Sequence, residues 1–226
     1  MLRFTLHDTD GPKQAAFEPT ALVIAGWAGR DRAAVDHHIE ELAAIGVPRP
    51  STVPLFYRVA AATLTQSDTI ECVGAGSSGE VEPVLLSHAG CLWLTVGSDH
   101  TDRDAETYSV ALSKQMCAKP LAREAWALDT VLARLDTLRL QSWIEEDGRE
   151  IAYQEGTLAS LVPAPDLLAR FLDGKAAPEG LVISCGTLGA IGGVRASIAF
   201  RMRLEDPTTG RAITHAYRTT VLPKVA

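Results

Sequence analysis

Apolar residues fall along this chain mostly in short runs cut by turn residues, and only a few segments keep a helical step. Residues 2–8 and 21–25 read as strands, the second running into a loop at 27–30. From Asp31 the step changes. Val35, Ile39 and Leu42 recur three and four apart behind an Asp N-cap, which predicts a helix stopped by Gly46. Pro48, Pro50 and Pro54 then break the chain before an extended 53–59. Strands are predicted at 69–73, 81–86 and 91–96, with the turn-rich 74–79 between the first two. Residues 102–116 fit a helix. The stretch 121–140 reads both ways, because Leu128, Leu132 and Leu135 keep helical spacing while its end runs straight into a strand.

The clearest hairpin joins 139–145 to 150–153 around Asp147-Gly148. A short helix at 164–172 follows, then a strand at 181–184 and a glycine-rich turn through Gly193. A last hairpin pairs 197–204 with 212–222 around 207–210. Many short strands and few helices predict an α+β, β-dominated fold, with residues 1–226 as one domain.

Composition narrows the function classes. With 226 residues and 46% hydrophobic content, the chain can bury a sizeable core, which excludes disorder. Its 21 basic against 28 acidic residues, a net charge of -7, argue against nucleic acid and anionic membranes as partners. The four cysteines form no CxxC pair, so neither a disulfide framework nor a zinc knuckle is expected. Residues 1–10 lack an apolar h-region, and no apolar run approaches the roughly 18 residues of a spanning helix. The expectation is a cytoplasmic protein.

Three polar clusters carry candidate chemistry. Glu80 and Glu82 are two apart in a predicted strand, so both carboxylates project from one face and repel unless a cation or solvent separates them. Hard oxygens of this kind suit Mg²⁺, Mn²⁺ or Ca²⁺. The same pair also reads as the solvated face of an edge strand. Asp99, at the end of the next strand, could supply a third ligand, and it or Asp102 could instead cap the following helix. His38 and Glu41 stand three apart on the first helix, where a carboxylate can hold an imidazole ready as a general base. An ordinary ion pair on an exposed helix face is the plainer alternative.

Taken in order, these segments resemble the fumarylacetoacetate hydrolase superfamily. Gly26 to Leu42 resembles its G-x-N-Y-x-x-H-x-x-E segment without the Asn-Tyr, and Pro54-Leu55-Phe56-Tyr57-Arg58 its P-x-L-F-x-K stretch. Glu80-Val81-Glu82 falls where that family has its E-x-E metal ligands. Ser98-Asp99-His100-Thr101-Asp102-Arg103-Asp104 is similar to N-D-x-S-A-R-D, Lys119 stands where the family's lysine follows, and residues 181–187 resemble D-V-I-S-T-G-T. The resemblance spans about residues 20–205, and the divergent DUF2848 group is the closest fit. Sixteen residues separate Glu82 from Asp99, fewer than the family usually has, so a helix between them is missing.

The resemblance implies a mixed β-sandwich roll with small flanking helices, a homodimer, and a divalent metal held by Glu80, Glu82 and Asp99. It implies His38 and Glu41 as catalytic residues, with Arg103, Lys119, Gly186 and Thr187 binding a small oxo acid. Arg103 also reads as a partner for Asp99 or Asp104, and Lys119 as a solvated surface lysine. The activity implied is metal-dependent hydrolysis of a C–C bond in an acylpyruvate-like diketo acid. The alternatives are decarboxylation, tautomerisation or dehydration of a 2-oxo or sugar acid at the same metal, or a member of the fold that binds ligand without turnover.

Overall fold

In the computed structural model, which describes residues 1–44 and 49–225 apart from the side chains of His38, Glu41 and Leu42, the longer strands form two large mixed sheets, and two-residue strands form two further small ones. The N-terminal part contributes β1 (Leu2–Asp8), β2 (Gly11–Phe17), β3 (Ala21–Gly26), α1 (Arg32–Ala44), β4 (Leu55–Val59) and β5 (Thr69–Val73). Then come β6 (Val81–His88), β7 (Cys91–Ser98), α2 (Arg103–Glu106), α3 (Val110–Gln115) and β8 (Glu124–Ala127). The rest is β9 (Arg139–Glu146), β10 (Arg149–Thr157), α4 (Ala164–Leu172), β11 (Leu181–Ser184), β12 (Ala199–Asp206) and β13 (Arg211–Leu222).

The first sheet orders its strands β2-β1-β8-β7-β6-β11-β3-β4, and the second β10-β9-β12-β13-β5. Contacts β1–β8, β11–β3 and β13–β5 are parallel, and the other neighbours are antiparallel. Because side chains alternate, β6 feeds two cores. Val81 and Leu85 pack with Leu140, Ile144, Met202 and Leu204 of the second sheet. Val84 and Leu86 pack instead with Phe4, Phe17, Ile24, Val59 and Val182 of their own sheet. That second cluster joins residues from opposite ends of the strand order, so the first sheet curls upon itself. The architecture is the expected β-sandwich roll, with the second sheet laid on the roll's outer face. Each fully buried aliphatic or aromatic side chain here is worth about 1.5–3 kcal/mol. Among the described residues, no helix is long and apolar enough to cross a membrane.

Some elements depart from the sequence reading. β2, with the polar sequence GPKQAAF, is an edge strand paired in full register to β1. The helix expected over 102–116 is two, because Ser109 starts a new one by accepting a hydrogen bond from Leu112 N. The leucines of 121–140 sit on 3₁₀ turns, which bury Leu128 and Leu135 but leave Leu132 half exposed. The expected stop at Gly46 lies outside the described residues.

Those 3₁₀ turns are tied to the far sheet by Asp206, whose side chain is fully buried. Its Oδ2 accepts from Arg134 Nε and Nη2 (2.9 and 2.8 Å) and from Thr209 Oγ1 (2.8 Å), while Oδ1 accepts from Thr208 N (3.0 Å). Burial opposes ionisation, but Arg134 and the turn donors win and lower this carboxyl to about 2. Since an unfolded Asp titrates near ~3.9, the stabilisation is present above that pH and disappears as pH falls towards 2. Asp206→Ala is expected to lower the urea unfolding free energy by about 3 kcal/mol at neutral pH, and by less near pH ~3. An equal loss at both values would show that the charge is not what matters.

Candidate metal centre

The hairpin β6–β7 sets Glu82 opposite Gly97 and Val81 opposite Ser98. The short link between Glu82 and Asp99 is therefore a direct strand reversal at Ala89-Gly90, both at positive φ, with no helix needed. By strand parity Glu82 points with Val84 and Leu86 into the roll, at its mouth. A side chain at Gly97 would collide there with Leu121, 2.6 Å from an added Cβ. Glu82 Oε2 accepts from Ser184 Oγ at 2.5 Å and from Gly186 N at 2.9 Å. Gly186 has φ +91°, and a Cβ there would lie 2.7 Å from Ala28 Cβ, so only glycine presents this amide so closely.

Glu80 sits just ahead of β6, and Asp99 just after β7. They are joined by Asp99 N donating to Glu80 O (3.0 Å) and Glu80 N donating to Ser98 Oγ (3.3 Å). One carboxylate oxygen from each of Glu80, Glu82 and Asp99 lies within 4.8 Å of the others. Two strands and one turn thus bring together the three residues read from the sequence as a ligand set.

Cations of the chain itself surround them. Lys114 Nζ donates to Asp99 Oδ2 and lies 3.8 Å from Glu80 Oε2. Lys119 Nζ lies 2.9 Å from Asp99 Oδ1 and also donates to His100 O (2.5 Å). Arg103 donates from Nη2 to Glu80 Oε1 (2.9 Å), from Nη1 to Glu106 Oε2 (2.8 Å) and from Nε to Ser78 Oγ (2.7 Å). Burial alone would push the Asp99 carboxyl up, yet Lys114 and Lys119 overcome it and lower it to about 2. Glu82 has no cation of its own. Burial first, then the charges of Asp99 and Glu80, push it up to about 8.

The donor set fits a hard divalent cation. Three carboxylates converge, and such an ion would offset both the burial and the mutual repulsion that raise Glu82. Glu80, Glu82, Arg103 and Lys114 face a cavity of about 700 Å³, with Trp27 and Thr187 also in its wall. Asp99 lies deeper, behind Lys114.

Several expectations change in detail. Arg103 pairs with Glu80 and Glu106, whereas Asp104 bonds Lys224 and Asp102 caps α2 by accepting from Ala105 N. Lys119 is not a solvated surface lysine, since it is 3% exposed and held by Asp99. The Gly186 amide is engaged by Glu82, and Thr187 Oγ1 donates to Val81 O (2.8 Å). α1 contributes Ala34 and Val35 to the cavity wall. His38 lies one turn beyond Ala34, and the side chains of His38 and Glu41 are outside the described residues.

Sequence reasoning passed over Lys114, Ser184 and Gln154. Gln154 receives Val81 N and Ser142 Oγ (both 3.0 Å) and donates to Thr187 Oγ1 (2.7 Å) and Leu188 O (2.6 Å), which pins the loop after β11. No local pattern marks Lys114 or Gln154. Only the serine before Cys185-Gly186-Thr187 carried a signal, from its place in a glycine-containing turn after a buried strand.

Comparison with known proteins identifies a family and structures of similar fold. The family model DUF2848, a protein of unknown function, matches residues 25–217. No curated protein matches the chain. Among solved structures, a 2-keto-3-deoxy-D-arabinonate dehydratase complexed with magnesium and 2,5-dioxopentanoate aligns with a TM-score of 0.63 at 14% identity, over 91% of this chain and 74% of its own. A putative fumarylacetoacetate hydrolase family protein from Yersinia pestis CO92 gives 0.62 at 14%, over 96% and 100%. The 4-oxalocrotonate decarboxylase from Pseudomonas putida G7, complexed with calcium and acetate, gives 0.56 at 17%, over 88% and 76%. At such identities the likeness is one of fold.

Proposed function

Because this chain belongs to the DUF2848 family, within the fumarylacetoacetate hydrolase superfamily, and carries three converging carboxylates, we propose that it is a divalent-metal-dependent enzyme acting on a small oxo acid. The reaction is hydrolytic cleavage of a C–C bond in an acylpyruvate-like diketo acid. The observation that carries this reading is the convergence of Glu80, Glu82 and Asp99 within 4.8 Å of one another. Magnesium with 2,5-dioxopentanoate in one neighbour, and calcium with acetate in another, support a hard cation beside an organic acid in this fold. Mg²⁺ or Mn²⁺ is the expected ion, and Ca²⁺ the third choice. The same reading has residues 1–226 act as one domain, as a homodimer, in the cytoplasm.

When bound, the cation supplies Lewis-acid stabilisation of the enolate that C–C cleavage leaves behind. Glu80, Glu82 and Asp99 hold it, and Lys119 positions Asp99. Arg103 fixes Glu80 and turns its remaining Nη protons towards the carboxylate of the substrate in the cavity. Gly186 and Thr187 form the opposite wall, kept in place by Glu82 and Gln154. His38, oriented by Glu41, takes a proton from the water that adds to the distal carbonyl, a contribution of about 10²–10⁴-fold. Cleavage then yields a carboxylic acid and the enol form of a 2-oxo acid.

The second reading, suggested by a dehydratase and a decarboxylase of similar fold, is a decarboxylase, tautomerase or dehydratase working on a 2-oxo or sugar acid at the same carboxylates. A turnover screen with Mg²⁺ or Mn²⁺ over acylpyruvates, oxaloacetate and sugar acids separates the two. Acylpyruvate cleavage that drops by about 100-fold or more in His38→Ala supports hydrolysis. Turnover confined to oxaloacetate or a sugar acid, and insensitive to His38→Ala, replaces it with the second reading. Tight binding of these acids with no turnover of any would mark a binding protein.

A further inference from the structure

A second cluster, of different chemistry, adjoins the acidic one through the consecutive residues Asp99 and His100. Cys72 points inward from β5, Cys117 follows α3, and His100 follows Asp99 at the end of the β6–β7 hairpin. All three are buried, at 4%, 2% and 0% exposure. One ligand atom from each lies within 4.8 Å of the other two. Among the described residues, this and the Glu80, Glu82 and Asp99 set are the two groups that could hold a metal ion.

The imidazole is already held as a ligand would be. His100 Nδ1 is 2.8 Å from Tyr217 Oη, and that phenol lies 2.8 Å from Ser98 Oγ. His100 Nε2 is 2.9 Å from Ser77 Oγ. If Nδ1–H donates to Tyr217, and Tyr217 in turn to Ser98, then Nε2 keeps its lone pair, occupied only by the Ser77 hydroxyl proton. Metal-binding histidines are characteristically fixed through the other ring nitrogen in this manner. An access route exists too, since Cys117 lies in the wall of an open groove of about 550 Å³ together with Gln115, Met116 and Ile70.

We propose that Cys72, Cys117 and His100 form a second metal site, specific for a thiophilic d¹⁰ cation of the zinc(II) type. Sulfur and imidazole select such ions over the magnesium class, which prefers carboxylate oxygen. Two thiolates and a neutral imidazole balance a 2+ ion, so the loaded site carries no net charge into a buried place. Occupancy would tie β5 of the second sheet to the segments that carry Asp99 and Lys119. The site therefore braces the hard-cation ligands from behind without touching the substrate cavity, and it stands whether or not the proposed oxo-acid chemistry is right.

The test uses the full chain, purified reduced and metal-free, and Co²⁺ as a spectroscopic probe in the presence of excess Mg²⁺. The expected result is one equivalent of Co²⁺ with a thiolate-to-cobalt charge-transfer band, displaced by Zn²⁺. That band should vanish in Cys72→Ser and in Cys117→Ser, and persist in Glu82→Gln and in Cys91→Ser, which changes the exposed cysteine. Tyr217→Phe, which loosens the imidazole, should weaken zinc binding by about 10–100-fold while leaving the band's shape. Failure of the wild-type protein itself to give the band, or its loss in Glu82→Gln with retention in Cys72→Ser, would overturn the proposal. So would a Cys72–Cys117 disulfide that forms under a small-molecule disulfide oxidant as fast with Zn²⁺ present as without.

Discussion

Glu82→Gln is expected to abolish cation-dependent stabilisation and to lower turnover by at least about 10²–10³-fold, while leaving the metal-free fold intact. The amide has the shape of the carboxyl it replaces, and its oxygen can still accept from Ser184 and Gly186. What it cannot do is ionise. In the wild type a saturating cation at about 100 times its Kd stabilises by about 2.7 kcal/mol, which moves the melting temperature of a chain this size by about 5–10 °C. The variant should show no such rise.

The metal-free proteins should also differ in their response to pH, and the sign is informative. Glu82 in the folded chain is pushed up to about 8, mainly by burial, whereas an unfolded Glu titrates near ~4.3. Between those values the native state holds a proton that the unfolded state has lost. Unfolding free energy therefore falls as pH rises across that window. Glu82→Gln should flatten this decline, and added Mg²⁺ should oppose it in the wild type alone. Urea titrations in chelator between pH ~5 and ~9 measure both effects. Parallel curves for the two proteins, with equal shifts on adding Mg²⁺, would remove Glu82 from the ligand set.

What could be read from the chain follows a physical divide. Hairpins, α4 and the Glu80/Glu82 pair were legible because alternation and turn chemistry act over a few residues, and strand parity alone points Glu82 into the roll. β2 was not legible. Its polar residues are made a strand by β1 beside it rather than by their own pattern. The leucines of 121–140 mimic a helix because 3₁₀ turns also return side chains to one face every few residues. Lys119 looked like a surface lysine because lysines usually are, and only the fold places Asp99 where it can repay the burial. Lys114 gave no warning at all, since one lysine in a short helix looks the same whether it faces water or a carboxylate.

That lysine now supplies the sharper test, because its removal should act with opposite signs on the two states of the site. Lys114 is buried, bonded to Asp99, 3.8 Å from Glu80 and 5.7 Å from the centre of the Tyr57 ring. Its neighbours hold it protonated, so it serves the metal-free chain as a tethered cation. Lys114→Met keeps most of the volume and removes the charge. Metal-free, the variant should lose about 3 kcal/mol of stability, because carboxylates packed for a cation are left short of one. A divalent ion should then bind more tightly than in the wild type. Unit like charges about 4 Å apart repel by about 4 kcal/mol at an effective dielectric of 20, and even a third of that is a tenfold change in Kd. The rise in melting temperature on adding Mg²⁺ or Mn²⁺ should therefore be larger in Lys114→Met, bringing the loaded variant back towards the loaded wild type. Should the variant bind these ions more weakly instead, Lys114 belongs to the framework that shapes the site around a cation and does not stand in for one.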